Sequence, residues 1–569
     1  MAGVRPLAVT QGLAVNNGQA ATPPMGWNYA TCYFFSICGK GQFNESLEQL
    51  VKDNASAMAG NSGMKSAGYV YVNLDAAWAA SGRDINGNLQ ASPSEFPDGI
   101  KAVADYVHGL GLKFGIYSDA GPYMCGGLPP DPLSESGGYG HEAADASQFA
   151  AWGVDYVKYD WCYHPELDFA PDIDHIVVSN GAYAAVYPAA SPLNTLNGGA
   201  LVNFGVVSKL GFNGVNTASC TSPTGTDGSL TFNGIAIPLS GTYEVTVFYT
   251  NSNKYRRCDL SNPPADGLPY MKAFVSSDGG SDSVVAVPSS SGSPANVASF
   301  SLNLSFNAGS QNTVTIHNPT TDVDNAKSLY QAMDNALANT GRAITFAICD
   351  FEPTLAPWTW GPSIGNLWRT NSDIFNGASP SGGLADGPTF WKNVLTNSRA
   401  EIGLSSYAGP NQWNDPDLLV AGDGLTDDEA RSQMGLWSVL AAPLIASNYL
   451  PSMSQTTAAV LTNSEVIAID QDSAGTQGDR LTPAGQPEVW HRSLANGDVA
   501  VVLLNPNDSG AVTISTSAVA VGMPTSPTYC LRDVWVHATS STTGTISATL
   551  SPHQSAMYRV SLPINGNCP

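Results

Sequence analysis

The stretch Val154-Asp-Tyr-Val-Lys-Tyr-Asp160 has the apolar and aromatic character of a buried β-strand, and it ends in an acid. Two earlier stretches, at 69–75 and 112–119, share this pattern. Segments with apolar residues at helical spacing lie between the strands, at 100–110 and at 143–152. Repeated βα units of this length predict a parallel sheet. Polar strand ends mark the face on which a (β/α)8 barrel carries its active site.

The βα rhythm stops after Cys162 and gives way to a different composition. Residues 193–319 are rich in Gly, Ser, Thr and Asn, and their short strands alternate apolar and polar side chains. In one of these strands, Tyr243, Val245 and Val247 share a face. Short strands at this spacing, with turn residues between them, predict a β-sandwich inserted into the barrel.

Barrel-like segments return after the insert. Residues 324–340 have helical spacing, 343–350 have the pattern of a strand that ends in an acid, and 434–447 predict an apolar helix leading into a last strand near 443–448. We therefore predict an α/β fold in four parts. They are the first part of a (β/α)8 barrel at 22–192, the inserted sandwich at 193–319, the second part of the barrel at 320–468 and a C-terminal antiparallel β domain at 469–569.

Composition excludes several classes of function. The 569 residues carry a formal net charge of −24, which would repel nucleic acid. No apolar run reaches the roughly 20 residues of a membrane-spanning helix, and residues 1–21 lack the apolar core of a signal peptide. Because CxxC and HExxH motifs are absent, we expect no zinc site.

The number of cysteines indicates an oxidising compartment. Nine cysteines predict four disulfides and one free thiol, so we expect a secreted, extracellular or periplasmic protein. Cys220 and Cys258 both lie in the insert, and Cys530 and Cys568 both lie in the C-terminal domain. Each of these pairs could cross-link its own domain.

Two pairs of charged residues are candidates for catalysis. Lys158 and Asp160 share a face of their strand, and a neighbouring cation keeps a carboxylate ionised, as a nucleophile requires. The alternative is a structural ion pair at a strand end. Arg369 and Asp373 fit either an exposed helical ion pair or the second carboxylate of a glycosidase.

Two further motifs have more than one interpretation. Asp415-Pro-Asp417 could bind a metal or cap a turn. Trp358 and Trp360 could stack on sugar faces or belong to the core.

These motifs together resemble glycoside hydrolase family 27, the family of α-galactosidases and α-N-acetylgalactosaminidases. The matches occur in the family's order, over roughly residues 22–165 and 325–569. They are Thr22-Pro-Pro-Met-Gly-Trp-Asn28, Phe114-Gly-Ile-Tyr-Ser-Asp-Ala-Gly121, Trp152-Gly-Val-Asp-Tyr-Val-Lys-Tyr-Asp160, Trp368-Arg369 with Asp373, Trp413-Asn-Asp-Pro-Asp417, Ala441-Ala-Pro-Leu444 and Val466-Ile-Ala-Ile-Asp-Gln-Asp472. The resemblance implies a barrel with a C-terminal antiparallel β domain, no cofactor and no catalytic metal.

The resemblance also implies roles for single residues. It makes Asp160 the nucleophile and Asp373 the acid/base of a retaining α-glycosidase. It implies a disulfide between Cys125 and Cys162, and the absence of another family cysteine leaves Cys32 to pair with Cys38. Residues that it places around the −1 sugar are Trp27, Asp75, Tyr117, Lys158, Asp350, Arg369 and Asp417.

The chain departs from the family pattern after the second strand. The family has two consecutive acids there, which bind the 4- and 6-hydroxyls of galactose, whereas here Asp75 is followed by Ala76 and Ala77. Losing a charge-assisted hydrogen bond costs about 1.5–3 kcal/mol, which is enough to change sugar preference. Three substrates fit: an α-galactoside with another residue in place of the lost acid, a dextran bound by a pocket opened at C6, or a β-L-arabinopyranoside, which lacks C6.

The insert has its own resemblance, to a carbohydrate-binding module of the galactose-binding-like type, carried by stretches such as Gly228-Ser-Leu-Thr-Phe232. The alternative is a sandwich that only shapes the cleft. A lectin-like protein on an inactive barrel and a transglycosylase are the other functional classes that fit these residues. In each case the expected partner is an oligosaccharide or polysaccharide.

Overall fold

A computed structural model describes residues 17–30, 46–60, 62–121, 123–125, 135–162, 172–197, 201–203, 206–208, 229–250, 271–287, 297–317, 322–350, 355–374 and 390–568. The chain divides into two units. The first combines Met1–Cys162 with Leu329–Pro569, and the second is Tyr163–Ser328.

Eight strands form a parallel sheet in the first unit. They are β1 (Met25–Asn28), β2 (Tyr71–Asn73), β3 (Lys113–Asp119), β4 (Tyr156–Asp160), β5 (Thr345–Cys349), β6 (Leu367–Arg369), β7 (Trp413–Asp415) and β8 (Leu444–Ala446). Neighbours from β1 to β7 pair in parallel, and β8 pairs with β1. Leu419, which follows β7, forms a parallel bridge to Ala446 of β8 and so closes the sheet. The predicted barrel is confirmed.

Helices alternate with these strands. They are Leu47–Ala59, Met64–Ala67, Ile100–Gly109, Glu142–Trp152, Asp322–Asn339, Phe390–Ala400, Asp427–Leu440, Gln455–Leu461 and Ser464–Asp470, with 3-10 turns at Pro357–Thr359, Gly361–Ser363 and Leu450–Ser452. A capping box of Thr426 and Glu429 starts Asp427–Leu440. This helix ends well before the predicted residue 447, because Ala441 has a φ of 52°, a left-handed conformation that ends helices.

The register of the barrel strands gathers the predicted site residues at one end. Asp160 is the cross-strand partner of Asp119 on one side and of Cys349 on the other. Arg369 is the partner of Asp415. Since parallel strands end at the same edge, these polar side chains surround the carboxyl end of the barrel. A layer of buried residues that includes Tyr71, Tyr156, Ala347, Leu367 and Trp413 fills the interior.

The second unit is an antiparallel β-sandwich. One sheet contains Leu201–Asn203, Val206–Ser208, Asp172–Ser179, Ala184–Pro188, Gly241–Thr250 and Ala298–Phe306. The other contains Ser283–Val287, Met271–Ser277, Gly309–His317, Ser229–Ile237 and Thr195–Asn197. Tyr243, Val245 and Val247 lie in the shared core, as their alternation predicted.

The boundaries of the insert differ from the predicted 193–319. Strands Asp172–Ser179 and Ala184–Pro188 precede residue 193, yet they pair with each other, and the first also pairs with Gly241–Thr250. The unit therefore spans Tyr163–Ser328. Composition changes near residue 193, but backbone pairing determines where the sandwich begins.

The C-terminal part of the first unit contains two antiparallel sheets. One is formed by Asp479–Arg480, Glu488–Ser493, Val499–Leu504, Ser555–Ser561, Tyr529–Asp533 and Ala538–Thr542, and the other by Val512–Ser517 and Thr545–Leu550. Their apolar faces enclose a separate core that includes Val501, Leu503 and Ile546. A two-stranded hairpin, Ala79–Arg83 with Leu89–Ala91, belongs to the barrel part.

Two predicted disulfides are present, Cys125–Cys162 and Cys530–Cys568. Cys349 is a buried free thiol. The predicted pairs Cys32–Cys38 and Cys220–Cys258 lie outside the described residues. Within the described ranges, no helix combines the length and the apolar character that crossing a membrane requires.

Candidate active site

Asp160 is the last residue of β4 and lies almost buried at the carboxyl end of the barrel, with 7% of its surface exposed. The hydroxyl of Tyr117 donates to its Oδ2 at 2.6 Å, and the backbone N–H of Trp161 donates to its Oδ1 at 2.9 Å. Burial raises the pKa of Asp160, the charge of Lys158 opposes that shift and the charge of Asp373 adds to it. Both oxygens are thus held by donors, while a cation favours the ionised form.

Lys158 forms its direct ion pair with Asp75 rather than with Asp160. Its Nζ lies 2.8 Å from Asp75 Oδ2, and the side-chain amide of Asn28 donates to the same oxygen at 3.0 Å. Nζ also lies 5.3 Å from the ring centroid of Tyr117. Burial works against the charged form, but Asp75, Cys349 and Asp160 together hold the pKa of Lys158 well above its usual value. The ammonium therefore stays charged. It pairs directly with Asp75, which follows β2, and interacts with the charge of Asp160 at the end of β4.

Arg369 organises the other side of the site. Its Nη1 donates to Asp373 Oδ1 at 2.9 Å and lies 3.1 Å from Asp417 Oδ1, while its Nη2 donates to the carbonyl of Asn371 at 3.0 Å. Arg369 ends β6 and its side chain is only 3% exposed. The alternative of an exposed helical ion pair is therefore wrong, because strand β6 places the guanidinium inside the barrel end.

Asp373 and Asp417 differ in exposure and in the direction of their pKa shifts. The side chain of Asp373 is 63% exposed and that of Asp417 is 7% exposed. Desolvation opposes ionisation of Asp373, but the charges of Arg369 and Lys158 prevail and lower its pKa. Burial raises the pKa of Asp417 to about 6, against the opposing charge of Arg369.

The Asp415-Pro-Asp417 motif caps a turn. Asp415 Oδ1 accepts the backbone N–H of Asp417 at 2.9 Å, and Asp417 has a positive φ of 81°. Asp417 Oδ2 in turn accepts the backbone N–H of Ile374 at 2.6 Å. Since its oxygens already have a cation and an amide as partners, the geometry supports the turn and not a metal site.

Three predicted residues lie away from any open surface. Trp27 is fully buried, and its indole N–H donates to the carbonyl of Asn448 at 2.7 Å, so its contact with the sugar stays a prediction. Trp360 is 5% exposed and packs on Tyr330 with ring centroids 5.5 Å apart, which places it in the core. Asp350 is buried just after β5, and its role remains a prediction.

A small cavity, partly open to solvent, lies among these residues of the barrel. Its lining includes Asn28, Lys158, Cys349, Arg369, Asp415 and Asp417. Two cations and two acids therefore line this cavity, a polar lining suited to a polyhydroxylated ligand, whereas Asp160 and Asp373 are not among its lining residues.

Comparison with known proteins identifies the family. The family model described as α-galactosidase A matches residues 22–179 and 309–472, and that of the α-galactosidase C-terminal β-sandwich domain matches 484–560. A probable α-galactosidase from Dictyostelium discoideum is 30% identical over 525 residues, which cover 92% of this chain and 87% of that protein. The chain belongs to the α-galactosidase A family. It is a glycoside hydrolase.

Solved structures of this family share the fold. A putative α-galactosidase from Bacteroides fragilis is 25% identical, with a TM-score of 0.59 over 96% of this chain and 80% of that chain. The structure of α-galactosidase I from Mortierella vinacea has a TM-score of 0.60 at 23% identity, over 96% of this chain and 98% of that chain. At that identity the second likeness concerns the fold alone.

The departure from the α-galactosidase A family pattern lies in a closed part of the structure. Ala76 is 2% exposed and Ala77 is fully buried. Neither alanine lines the cavity described above.

Two residues near this site had no assigned role in the sequence analysis. Asp119 accepts the backbone N–H groups of Gly121 at 2.6 Å and Cys162 at 2.9 Å, which fixes the chain just after Asp160. Asp119 lies within the motif Phe114–Gly121, which therefore could have indicated a residue near the site. Glu135 accepts the backbone N–H of Ala77 at 3.0 Å, and burial, with a smaller contribution from Asp75, raises its pKa to about 8. Its loop carries no periodic pattern that could have revealed this contact.

Proposed function

We propose that this chain hydrolyses terminal α-D-galactosides and retains the configuration at the anomeric carbon, with Asp160 as nucleophile and Asp373 as acid/base. The observation that carries the proposal is the placement of both acids in one charged cluster. The charge of Asp373 raises the pKa of Asp160, and the charge of Lys158 lowers the pKa of both acids. The names of the family's relatives support galactose as the sugar.

The proposed first step forms a bond between an Asp160 oxygen and the anomeric carbon. The bond from that carbon to the leaving oxygen breaks, and the proton of Asp373 moves to that oxygen. In the second step Asp373 takes a proton from water, the water oxygen attacks the anomeric carbon and the Asp160 carboxylate leaves. The Tyr117 hydroxyl and the Trp161 N–H stabilise the carboxylate that enters and leaves this cycle.

The ionisation states of Asp160 and Asp373 in the free protein determine the pH range in which this cycle can run. The reaction needs Asp160 ionised and Asp373 protonated, whereas burial raises the pKa of Asp160 and Arg369 lowers the pKa of Asp373. Both pKa shifts oppose the protonation states that the reaction needs, so the active form exists within a limited pH range. We expect a bell-shaped dependence of kcat/KM on pH.

The names of the relatives favour galactosides among the three substrates, and the buried state of Ala76 and Ala77 argues against a wall opened at these residues for a dextran. A panel of nitrophenyl α-galactoside, β-L-arabinopyranoside and α-glucoside, together with dextran, tests this choice. The highest kcat/KM on the galactoside supports the proposal, and a higher value on any other member refutes it.

The configuration of the product is tested separately. Proton NMR during hydrolysis should show α-galactose first, followed by mutarotation, because two displacements restore the original configuration. Initial release of the β-anomer would contradict a covalent intermediate. A high concentration of acceptor sugar in the same assay shows whether transfer competes with hydrolysis.

We also propose that the insert binds carbohydrate. The family models leave residues 180–308 unmatched, which is most of the inserted sandwich. The inactive Asp160→Asn variant of the full chain can be tested for sedimentation with insoluble galactomannan and dextran. Retention by a polysaccharide in the presence of free galactose supports a separate binding module, whereas no retention by either polymer contradicts it.

The two disulfides support an oxidising compartment, in which such bonds persist.

A further inference from the structure

The turn after β2 adopts an unusual backbone conformation. Ala77 has a φ of 77°, in the left-handed region that residues with a Cβ rarely occupy without support. Ala77 lies two residues after Asp75, whose carboxylate pairs with Lys158 at 2.8 Å. The conformation of this turn therefore bears directly on the proposed sugar-binding acid.

One side of the turn is held by Tyr29. Its hydroxyl lies 2.5 Å from the carbonyl oxygen of Asp75 and 2.6 Å from that of Ala76, so it can donate to either. The N–H of Ala76 donates to Asp75 Oδ1 at 3.0 Å. The orientation of the Asp75 carboxylate is thus tied to the peptide that follows it.

The other side of the turn is held by Glu135, from the loop after β3. Glu135 Oε2 accepts the N–H of Ala77 at 3.0 Å. The backbone of Glu135 is itself fixed, because it bridges to Ser81 and its carbonyl accepts the N–H of Met124 at 2.9 Å. The loop is tied further to the β4 end by the disulfide Cys125–Cys162.

Close packing keeps this loop in place. A Cβ on Gly137 would lie 2.1 Å from the carbonyl oxygen of Gly121, which only a glycine avoids. Arg83 adds a hydrogen bond to the carbonyl of Gly137 at 2.6 Å and an ion pair with Asp145. The Glu135 carboxyl is therefore presented from a fixed backbone.

We propose that Glu135 is a positioning residue for the sugar-binding site: it holds Ala77 in its left-handed conformation and so keeps the Asp75 carboxylate on Lys158. Because Glu135 is fully buried, it acts through Ala77 and does not touch the sugar. The inference rests on the proposed role of Asp75 in galactoside binding.

The test compares three variants of the full chain on nitrophenyl α-galactoside. Glu135→Ala removes the acceptor and should raise KM roughly tenfold, with a smaller loss in kcat, because a displaced Asp75 weakens sugar binding. Glu135→Gln keeps an acceptor oxygen and should restore KM to within about twofold of the wild type. Glu135→Ala combined with Ala77→Gly should also recover most of the affinity, since glycine adopts a positive φ without a partner.

The control is a second buried glutamate that accepts a backbone N–H. Glu95 accepts the N–H of Leu47, at the start of the helix Leu47–Ala59, at 3.1 Å. Glu95→Ala should lower the melting temperature and leave KM unchanged. If Glu135→Ala does not fold, Glu135→Leu fills the same volume without an acceptor and is assessed in the same way.

Two results would overturn the inference. One is an unchanged KM in a folded Glu135→Ala or Glu135→Leu variant. The other is a raised KM that neither Glu135→Gln nor the added Ala77→Gly restores, since Glu135 would then not act through Ala77. Failure of the wild-type protein to hydrolyse galactosides would instead refute the proposed function, so the two failures are distinguishable.

Discussion

The two halves of the site are built differently. On the β2–β4 side, Asp75 and Asp160 are nearly buried, and their oxygens are held by Lys158, Tyr117 and backbone N–H groups. On the β6 side, the side chain of Asp373 is 63% exposed and is paired with Arg369. The first half is also cross-linked by a disulfide and by Glu135.

This difference fits the two chemical roles. A nucleophile has to stay within a narrow distance of the anomeric carbon, so a rigid and dry setting favours it. An acid/base gives one proton to the leaving group and takes one from water in each cycle, so access for both molecules favours an exposed side chain. The comparison predicts that changes on the β2–β4 side affect binding and bond formation, whereas changes on the β6 side affect proton transfer and its dependence on pH.

The largest effect is expected from Asp160→Asn. The amide cannot form the covalent intermediate, so kcat should fall by a factor on the order of 10⁴ or more. Circular dichroism should show an unchanged fold, because asparagine can still accept from Tyr117. Activity within about tenfold of the wild type would remove Asp160 from the reaction.

Asp373→Ala should produce a smaller loss that depends on the leaving group. We expect kcat/KM to fall by about 10²–10⁴ on substrates with a basic leaving group, and by less on nitrophenyl galactosides, which need little protonation. Added azide should restore turnover and give α-galactosyl azide, because the small anion reaches the intermediate on an open side. Equal losses on all leaving groups would show that Asp373 is not the acid.

Replacing Arg369 should move the pH profile. Arg369 lowers the pKa of Asp373, so Arg369→Leu should raise that pKa and keep Asp373 protonated to higher pH. The pH profile of kcat/KM should therefore shift toward higher pH, together with some loss of activity, while Arg369→Lys retains the charge and should shift it less. A profile that stays in place or moves to lower pH would contradict the pairing.

The smallest effect is expected outside the site, at Glu465 and Arg532. The hydrogen bond from Arg532 lowers the pKa of Glu465 from 4.5 to about 2, against partial burial. The stabilisation this gives is complete above pH 4.5 and is lost as the pH falls toward 2. Arg532→Ala should lower the melting temperature slightly at pH 7, with a smaller difference at pH 3, and leave KM unchanged. A changed KM would show that the site is not independent of this pair.

The sequence was sufficient to predict an element of the site where the hydrophobic pattern and the type of its terminal residue indicate the same structure. The strand that ends in Asp160 was predicted because alternation, apolar content and a terminal acid all occur in one short stretch. The placement of Arg369 was left open, since four-residue spacing fits a helix and cannot reveal that the guanidinium ends a strand. The contact of Trp27 with the sugar stays a prediction, because a motif gives a residue's place in the chain but not the direction of its side chain.

Contacts between loops were beyond the reach of the sequence. Glu135 and Ala77 are far apart in the chain, and neither lies in a periodic segment, so only the folded backbone brings them together. The start of the insert was misplaced for a related reason, because pairing between Asp172–Ser179 and Gly241–Thr250 leaves no trace in local composition.

The central claim is that Asp160 forms a covalent bond to the sugar. Incubation with 5-fluoro-α-D-galactosyl fluoride, which slows the second step more than the first, should trap that species. Mass spectrometry of the protein should show the addition of one fluorogalactosyl group, and peptide fragmentation should place it on Asp160, with no labelling of the Asp160→Asn variant. A label on Asp373, Asp417 or any other residue, or equal labelling of the variant, would contradict the account.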